Sequence, residues 1–181
     1  MTMQFEELDD NTRAYMLRAF REEEASSLPY RSKRLSENGL QAFPRLMARA
    51  IVNGNEATLD QALRGADLWK TSDLYGGPIS TQYSSEQLAR SEFNTWYVAG
   101  LAARLVHEGE TRCEVYRVVS PGSNGGSCPA HAGIYMLKEI IDGHRARYWP
   151  PPGDQARLSI PATPGCHHTI RRNPSHLKNG Q

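Results

Sequence analysis

One stretch of this chain carries a pattern long enough to dictate architecture: residues 84–108. Ser84-Ser85-Glu86-Gln87 is a capping box, with Ser84 as the cap and Gln87 three residues on, and Gly109 supplies a left-handed stop. Between them Leu88, Phe93, Trp96, Tyr97, Leu101 and Leu105 fall at helical spacing and form a broad apolar face. Ala99, Gly100, Ala102 and Ala103 let a second element come close. The pattern predicts one long helix, with Trp96 in the core. Arg90 and Glu92 lie on the same helix. A carboxylate there serves either catalysis or a buried hydrogen bond that fixes helix to loop, and the second role is the expected one.

The chain before this helix also reads as helical. Asp10 or Asn11 can cap a helix to about Glu24, with Tyr15, Met16 and Phe20 on its buried face, and Ser-Ser-Leu-Pro at 26–29 ends it. A second helix is expected over 36–52, burying Leu40, Phe43, Met47 and Ile51, with a kink or a later start at Pro44. Asn53-Gly54-Asn55 stops it, and Thr58 to Ala66 supports a short third helix. Gly76-Gly77-Pro78 is strong turn chemistry within a loop. The expected organisation is a helical region over 1–70, a loop over 71–83, and a module over 84–181.

From Cys113 the period changes to two. Cys113-Glu-Val-Tyr-Arg-Val-Val119 reads as a strand, and Cys113 at its start as a core residue. Ser120 to Ser127 is a flexible loop, and Ile134 to Leu137 is either a second strand or a short helix. After Gly143 the chain is rich in proline (Pro150, Pro151, Pro152, Pro161, Pro164, Pro174), so it is ordered only by packing or by a crosslink. Trp149, leading three of these prolines, packs back on the long helix or meets a partner. The fold class is therefore α+β: a helical N-terminal half, then a small strand-containing, loop-rich module.

Cysteine and histidine crowd into the same last third. Cys128, Cys166, His131, His144, His167, His168 and His176 all lie there. Cys128-Pro-Ala-His131 and Cys166-His167-His168 offer two pairs of sulfur and nitrogen donors, as tetrahedral zinc sites do. Cys128, His131, Cys166 and His168 (or His167) would form a closed, structural zinc site that staples the module. The competing reading has a disulfide or buried thiols, with the histidines bonded to irregular backbone. His167 and His168 with Asn173 and His176 also suggest a metal-dependent nuclease of HNH type. The spacing is compressed for that arrangement, and Pro174 interrupts the helix it needs.

Net charge is +1, from 21 basic and 20 acidic residues, but it is unevenly spread. Residues 1–30 hold seven acids against three arginines, and residues 141–181 hold six bases against two acids. Arg145, Arg147, Arg171 and Arg172 thus either face nucleic acid or pair with the acidic N-terminal end. No apolar run approaches the ~18 residues of a membrane span, the N-terminus lacks signal-peptide features, and three cysteines make no disulfide framework. A soluble, intracellular protein is expected. No Gly-x-Ser-x-Gly is present, Cys113 and His107 would have to pair across a turn, and Gly122-Ser-Asn-Gly-Gly126 lacks the lysine of a phosphate loop. Binding is expected rather than turnover.

These pieces occur together in one family. Leu88-Ala-Arg-Ser-Glu-Phe-Asn-Thr-Trp-Tyr-Val-Ala-Gly100 resembles the helix of Mu F-like, SPP1-type phage minor head proteins, which carries an Ala-Arg-Thr-Glu phrase, a small polar residue and a glycine. The continuation is similar too: a glycine turn (Gly109), a strand (Glu114 to Val119), a loop, a Cys-x-x-Cys or Cys-x-x-His step, and a proline-rich segment before His-Pro-x-Cys-x-Cys. Cys128, His131, Pro164, Cys166 and His168 match, while Thr163 stands for the family's histidine and His168 for its last cysteine. The resemblance spans residues 84–172. It implies a virion protein made in the host cytoplasm, sited in the head near the portal or at the head–tail junction. Its role would lie in head morphogenesis or genome delivery, with portal or capsid proteins as partners and packaged DNA nearby.

Overall fold

The computed structural model describes residues 3–118 and 132–174. Helix α1 spans Asp10–Glu24, α2 Glu37–Asn53, α3 Glu56–Ala62, α4 Thr81–His107 and α5 Leu137–Asp142. Strand β1 spans Arg112–Arg117, β2 Gly133–Met136 and β3 His168–Arg172. They form one antiparallel sheet in the order β2-β1-β3. The α+β class expected from the sequence is what the chain adopts. Among the described residues no helix is long and apolar enough to cross a membrane.

Helix α4 is the axis of the fold. Leu88, Phe93, Trp96, Tyr97, Leu101 and Leu105 are all buried, as the spacing requires. Its start lies earlier than expected: Ser80 is the cap, its hydroxyl accepting from the Tyr83 amide. Ser84, read as the cap, is buried in the second turn. The phrase Ser-x-x-x-Ser-Ser (80–85) offers two caps at helical spacing, and Pro78 makes the earlier one the natural entry. The helix ends where expected, with Gly109 at φ +86°. Helix α1 crosses α4 at Gly100, where an added Cβ would stand 2.6 Å from the Met16 amide nitrogen. A side chain at Gly100 has nowhere to go, which is how the small-residue patch is used.

The N-terminal helices follow the same logic with shifted details. Asp9 caps α1, just before the expected Asp10 or Asn11, by accepting from the Thr12 amide at 2.8 Å. Met16 and Phe20 are buried, while Tyr15 is only half-buried and Thr12 completes the inner face. Ser36 caps α2, which runs through Pro44 without a later start. Leu40 is exposed, and Gly39 takes its place against the Leu68 carbonyl. Asn55 and Thr58 form a reciprocal capping box for α3.

Residues 133–142 settle the ambiguity left at Ile134 to Leu137: strand β2 passes directly into α5. Strand β3 was not legible as a strand. His168-Thr-Ile-Arg-Arg172 is short and polar-ended, and its pairing partner β1 lies more than fifty residues away. Cys113 and Val115 of β1 and Ile170 of β3 turn one sheet face into the core. Burial pushes the Cys113 thiol up to about 12, so it is an uncharged core group at neutral pH. One buried cluster runs from Met16 through Trp96 to Ile170, across the 71–83 loop, so both sides share a core.

Candidate functional site

The middle of α4 presents a problem that its sequence states openly. Glu92 lies one turn after Leu88 and one turn before Trp96, on the apolar face, and is 1% exposed. A carboxylate there needs a buried cation. Arg145 supplies it, donating from Nη1 to Glu92 Oε1 at 2.9 Å and from Nη2 to Oε2 at 2.7 Å. This is the bidentate fork geometry in which an ion pair is strongest.

The rest of the guanidinium is equally occupied. Its Nε donates to Glu23 Oε2 of α1 at 3.0 Å, and Nη1 also donates to the Tyr148 hydroxyl at 3.1 Å. Tyr30 and Trp96 lie on it at 4.6 and 4.9 Å from their ring centroids. His144 Nε2 lies 3.2 Å from Glu23 Oε2, and its ring packs on Trp96. Burial pushes the Glu23 carboxyl up, but the hydrogen bond from His144 and the charge of Arg145 outweigh it and hold it at about 2. Arg145 takes φ 54°, the left-handed region that non-glycine residues seldom occupy. The turn over 143–149 is bent so that this side chain points inward. Both Glu92 oxygens are taken by Nη1 and Nη2 and the third nitrogen by Glu23, so the cluster clamps α1, α4 and the 143–149 turn together.

The polar residues of α4 on either side act on the same segment. Arg90 Nη1 lies 3.4 Å from His167 Nε2, and Asn94 Nδ2 donates to the His168 carbonyl at 2.8 Å. Arg90, Glu92 and Asn94 thus hold the chain from 143 to 168 at three points.

Arg145, read from the sequence as a candidate DNA-facing residue, is 3% exposed and turned into the core. Its count among six bases of the C-terminal stretch pointed outward; the demand of Glu92 for a cation decided otherwise. Arg147 donates to the Gln155 carbonyl at 2.6 Å and pins the proline-rich segment. Arg171 pairs with Glu114 at 2.8 Å and Glu6 at 2.9 Å, and stacks on Tyr116. Arg172 pairs with Glu108, with Glu110 at 2.9 Å, and through its amide with Glu7 at 2.6 Å. Arg171 and Arg172 therefore meet the acidic N-terminal end, the pairing that was the other reading of the charge split.

Of the donor set read as a zinc site, Cys128 and His131 lie outside the described residues, as does His176. Cys166 and His168 are buried, with Sγ and Nδ1 3.6 Å apart, and the His168 amide donates to the sulfur at 3.4 Å. His167 points the other way, toward Arg90, because successive residues of an extended chain alternate sides. Partial burial, with Arg90 and Arg117 nearby, lowers its pKa and favours the neutral ring. His167 and His168 therefore do not converge on one point. Among the described residues no group of three metal-ligating side chains gathers. No family model, no curated protein and no solved structure matches this chain.

Proposed function

We propose that this chain is a phage or prophage minor head protein of the Mu F-like type, acting by binding at the portal or the head–tail junction. The observation that carries the reading is the triple hold of α4 on the C-terminal segment. The Ala-Arg-Ser-Glu-Phe-Asn phrase and the proline-rich Cys/His segment are the two ends of the resemblance. Here they are one unit, joined through Arg90–His167, Glu92–Arg145 and Asn94–His168. The order of helix, glycine turn, strand and Cys-x-His step agrees as well. In this reading α1 to α3 form the part that docks on portal or capsid subunits. Mass spectrometry of purified particles should find the chain at a fixed low ratio to portal protein. Abundance in the lysate with absence from particles would overturn the virion reading.

The Cys/His staple belongs to the same proposal. Cys128, His131, Cys166 and His168 would be the ligands of one zinc ion, which would supply a crosslink and, with four protein donors, no open position for water. Zinc–sulfur and zinc–nitrogen bonds at the tetrahedral angle set the two donor atoms about 3.6 Å apart. That is the spacing of Cys166 Sγ and His168 Nδ1. Metal analysis should give one zinc per chain, lost in Cys128→Ser. Chelator should lower the melting temperature by at least about 2–4 °C, the equivalent of ~1 kcal/mol in a chain of this size. Metal-free protein with an unchanged melting curve in chelator rules the staple out.

A further inference from the structure

With Arg145, Arg171 and Arg172 internally neutralised, an open positive surface has to be built from other side chains. Lys33, Arg34 and Lys70 are exposed, and among the described residues none of them makes an ion pair. They are brought together by backbone. Leu35 and Trp69 form a β-bridge, and the Lys70 amide donates to the Arg34 carbonyl at 3.0 Å. Leu35 and Trp69 are buried, and the Trp69 indole donates to the Leu63 carbonyl at 2.7 Å, so the platform under the three cations is rigid.

Two cavities open beside this platform, of about 480 and 270 Å³, and both are lined by Lys33 and Arg34. The larger is walled by Tyr30, Tyr148 and Trp149, with Ser84, Gln87 and Ser91 of α4 also lining it. The smaller is lined by Lys70 and Tyr75. Tyr75 is 96% exposed on a turn built by Asp73, whose Oδ1 accepts from the Tyr75 and Gly77 amides at 2.9 Å each. Asp73 also lines the smaller cavity, with its Oδ1 taken by its own turn, and Glu24 is held by both terminal nitrogens of Arg31. The order along the surface is aromatic, cation, aromatic.

We propose that this groove binds single-stranded nucleic acid, with phosphates on Lys33, Arg34 and Lys70 and bases stacked on Tyr75 and Trp149. A strand alternates charge and ring as the groove does, and an aromatic face accepts any base. Duplex bases are stacked on one another and do not offer that face. An acidic protein segment would use the cations but has no use for aromatic rings on both sides of them. The inference does not rest on the virion reading, and either can fail without the other.

The test is fluorescence anisotropy of the full chain with a labelled thymidine strand of about 12 nucleotides. The matching duplex and polyglutamate serve as rival ligands. Binding of the single strand is expected to be tightest, with a log–log salt slope of about −2 for three phosphates. Lys33→Glu/Arg34→Glu/Lys70→Glu should abolish it, and Tyr75→Ala should weaken it about tenfold. Tyr75 is almost wholly exposed, so that variant keeps the fold, and matching far-UV spectra and melting curves check this for both variants. Duplex or polyglutamate binding as tight as the strand, no saturable binding, or a folded charge-reversed variant that binds like the parent would each overturn the proposal.

Discussion

Glu92→Gln is expected to lower the unfolding free energy by about 3–5 kcal/mol, the cost of leaving a buried charge without its partner. Glutamine keeps the shape of the side chain, so the loss reports charge and not a cavity. Arg145 is fully enclosed, and its remaining acid, Glu23, reaches only Nε. The loss appears as a lower urea midpoint with an unchanged slope. Arg145→Met should cost a similar amount, because it leaves Glu92 charged in the core. The double variant Glu92→Leu/Arg145→Met should be milder than the sum of the two, since no unpaired charge remains at the Glu92 position. Additive losses, or a Glu92→Gln midpoint within error of the parent, would show that the clamp does not hold the fold.

Acid should then unfold the protein through Glu23. Its carboxyl sits at about 2 in the folded chain, against an ordinary value of 4.5. A depressed folded value stabilises above the unfolded value and is lost as pH falls toward the folded one. The window is therefore about pH 4.5 down to 2, and the contribution about 3 kcal/mol, at 1.36 kcal/mol per unit. Glu23 is largely shielded, so solvent screening takes little from that figure. Asp9, Asp60 and Glu108 are also lowered, so wild type alone does not isolate the effect. The readout is the difference between wild type and Glu23→Gln, which should shrink by about 3 kcal/mol across that window. A constant difference from pH 6 to pH 2 would contradict the role given to His144 and Arg145.

Local chemistry was legible wherever one helix turn or one strand pair carries its own instruction. The apolar stripe of α4 and the Gly109 stop are properties of neighbours three or four residues apart, and they came out as read. Cap positions slid by one to four residues, from Asp10 or Asn11 to Asp9 and from Ser84 to Ser80, because several capping side chains compete at each start. The helix–loop role expected of Glu92 was also visible, since a carboxylate amid Leu88 and Trp96 has to find a cation.

Which cation it finds was not visible. Five arginines stand in residues 141–181, and nothing in their spacing separates Arg145, which is buried, from Arg171, which meets Glu6 more than 160 residues away. Strand β3 is of the same kind, since its ladder is written in β1. The sequence by itself therefore determined the α+β class, the long central helix and the need for a partner at Glu92. The tertiary structure alone decided that Arg145 fills that need, that Arg171 and Arg172 meet Glu6 and Glu7 of the acidic N-terminus, and that Lys33, Arg34 and Lys70 gather into an open positive surface. The physical reason is range: helical periodicity acts over a few residues, whereas a charge is satisfied by whatever the folded chain brings within about 3 Å of it.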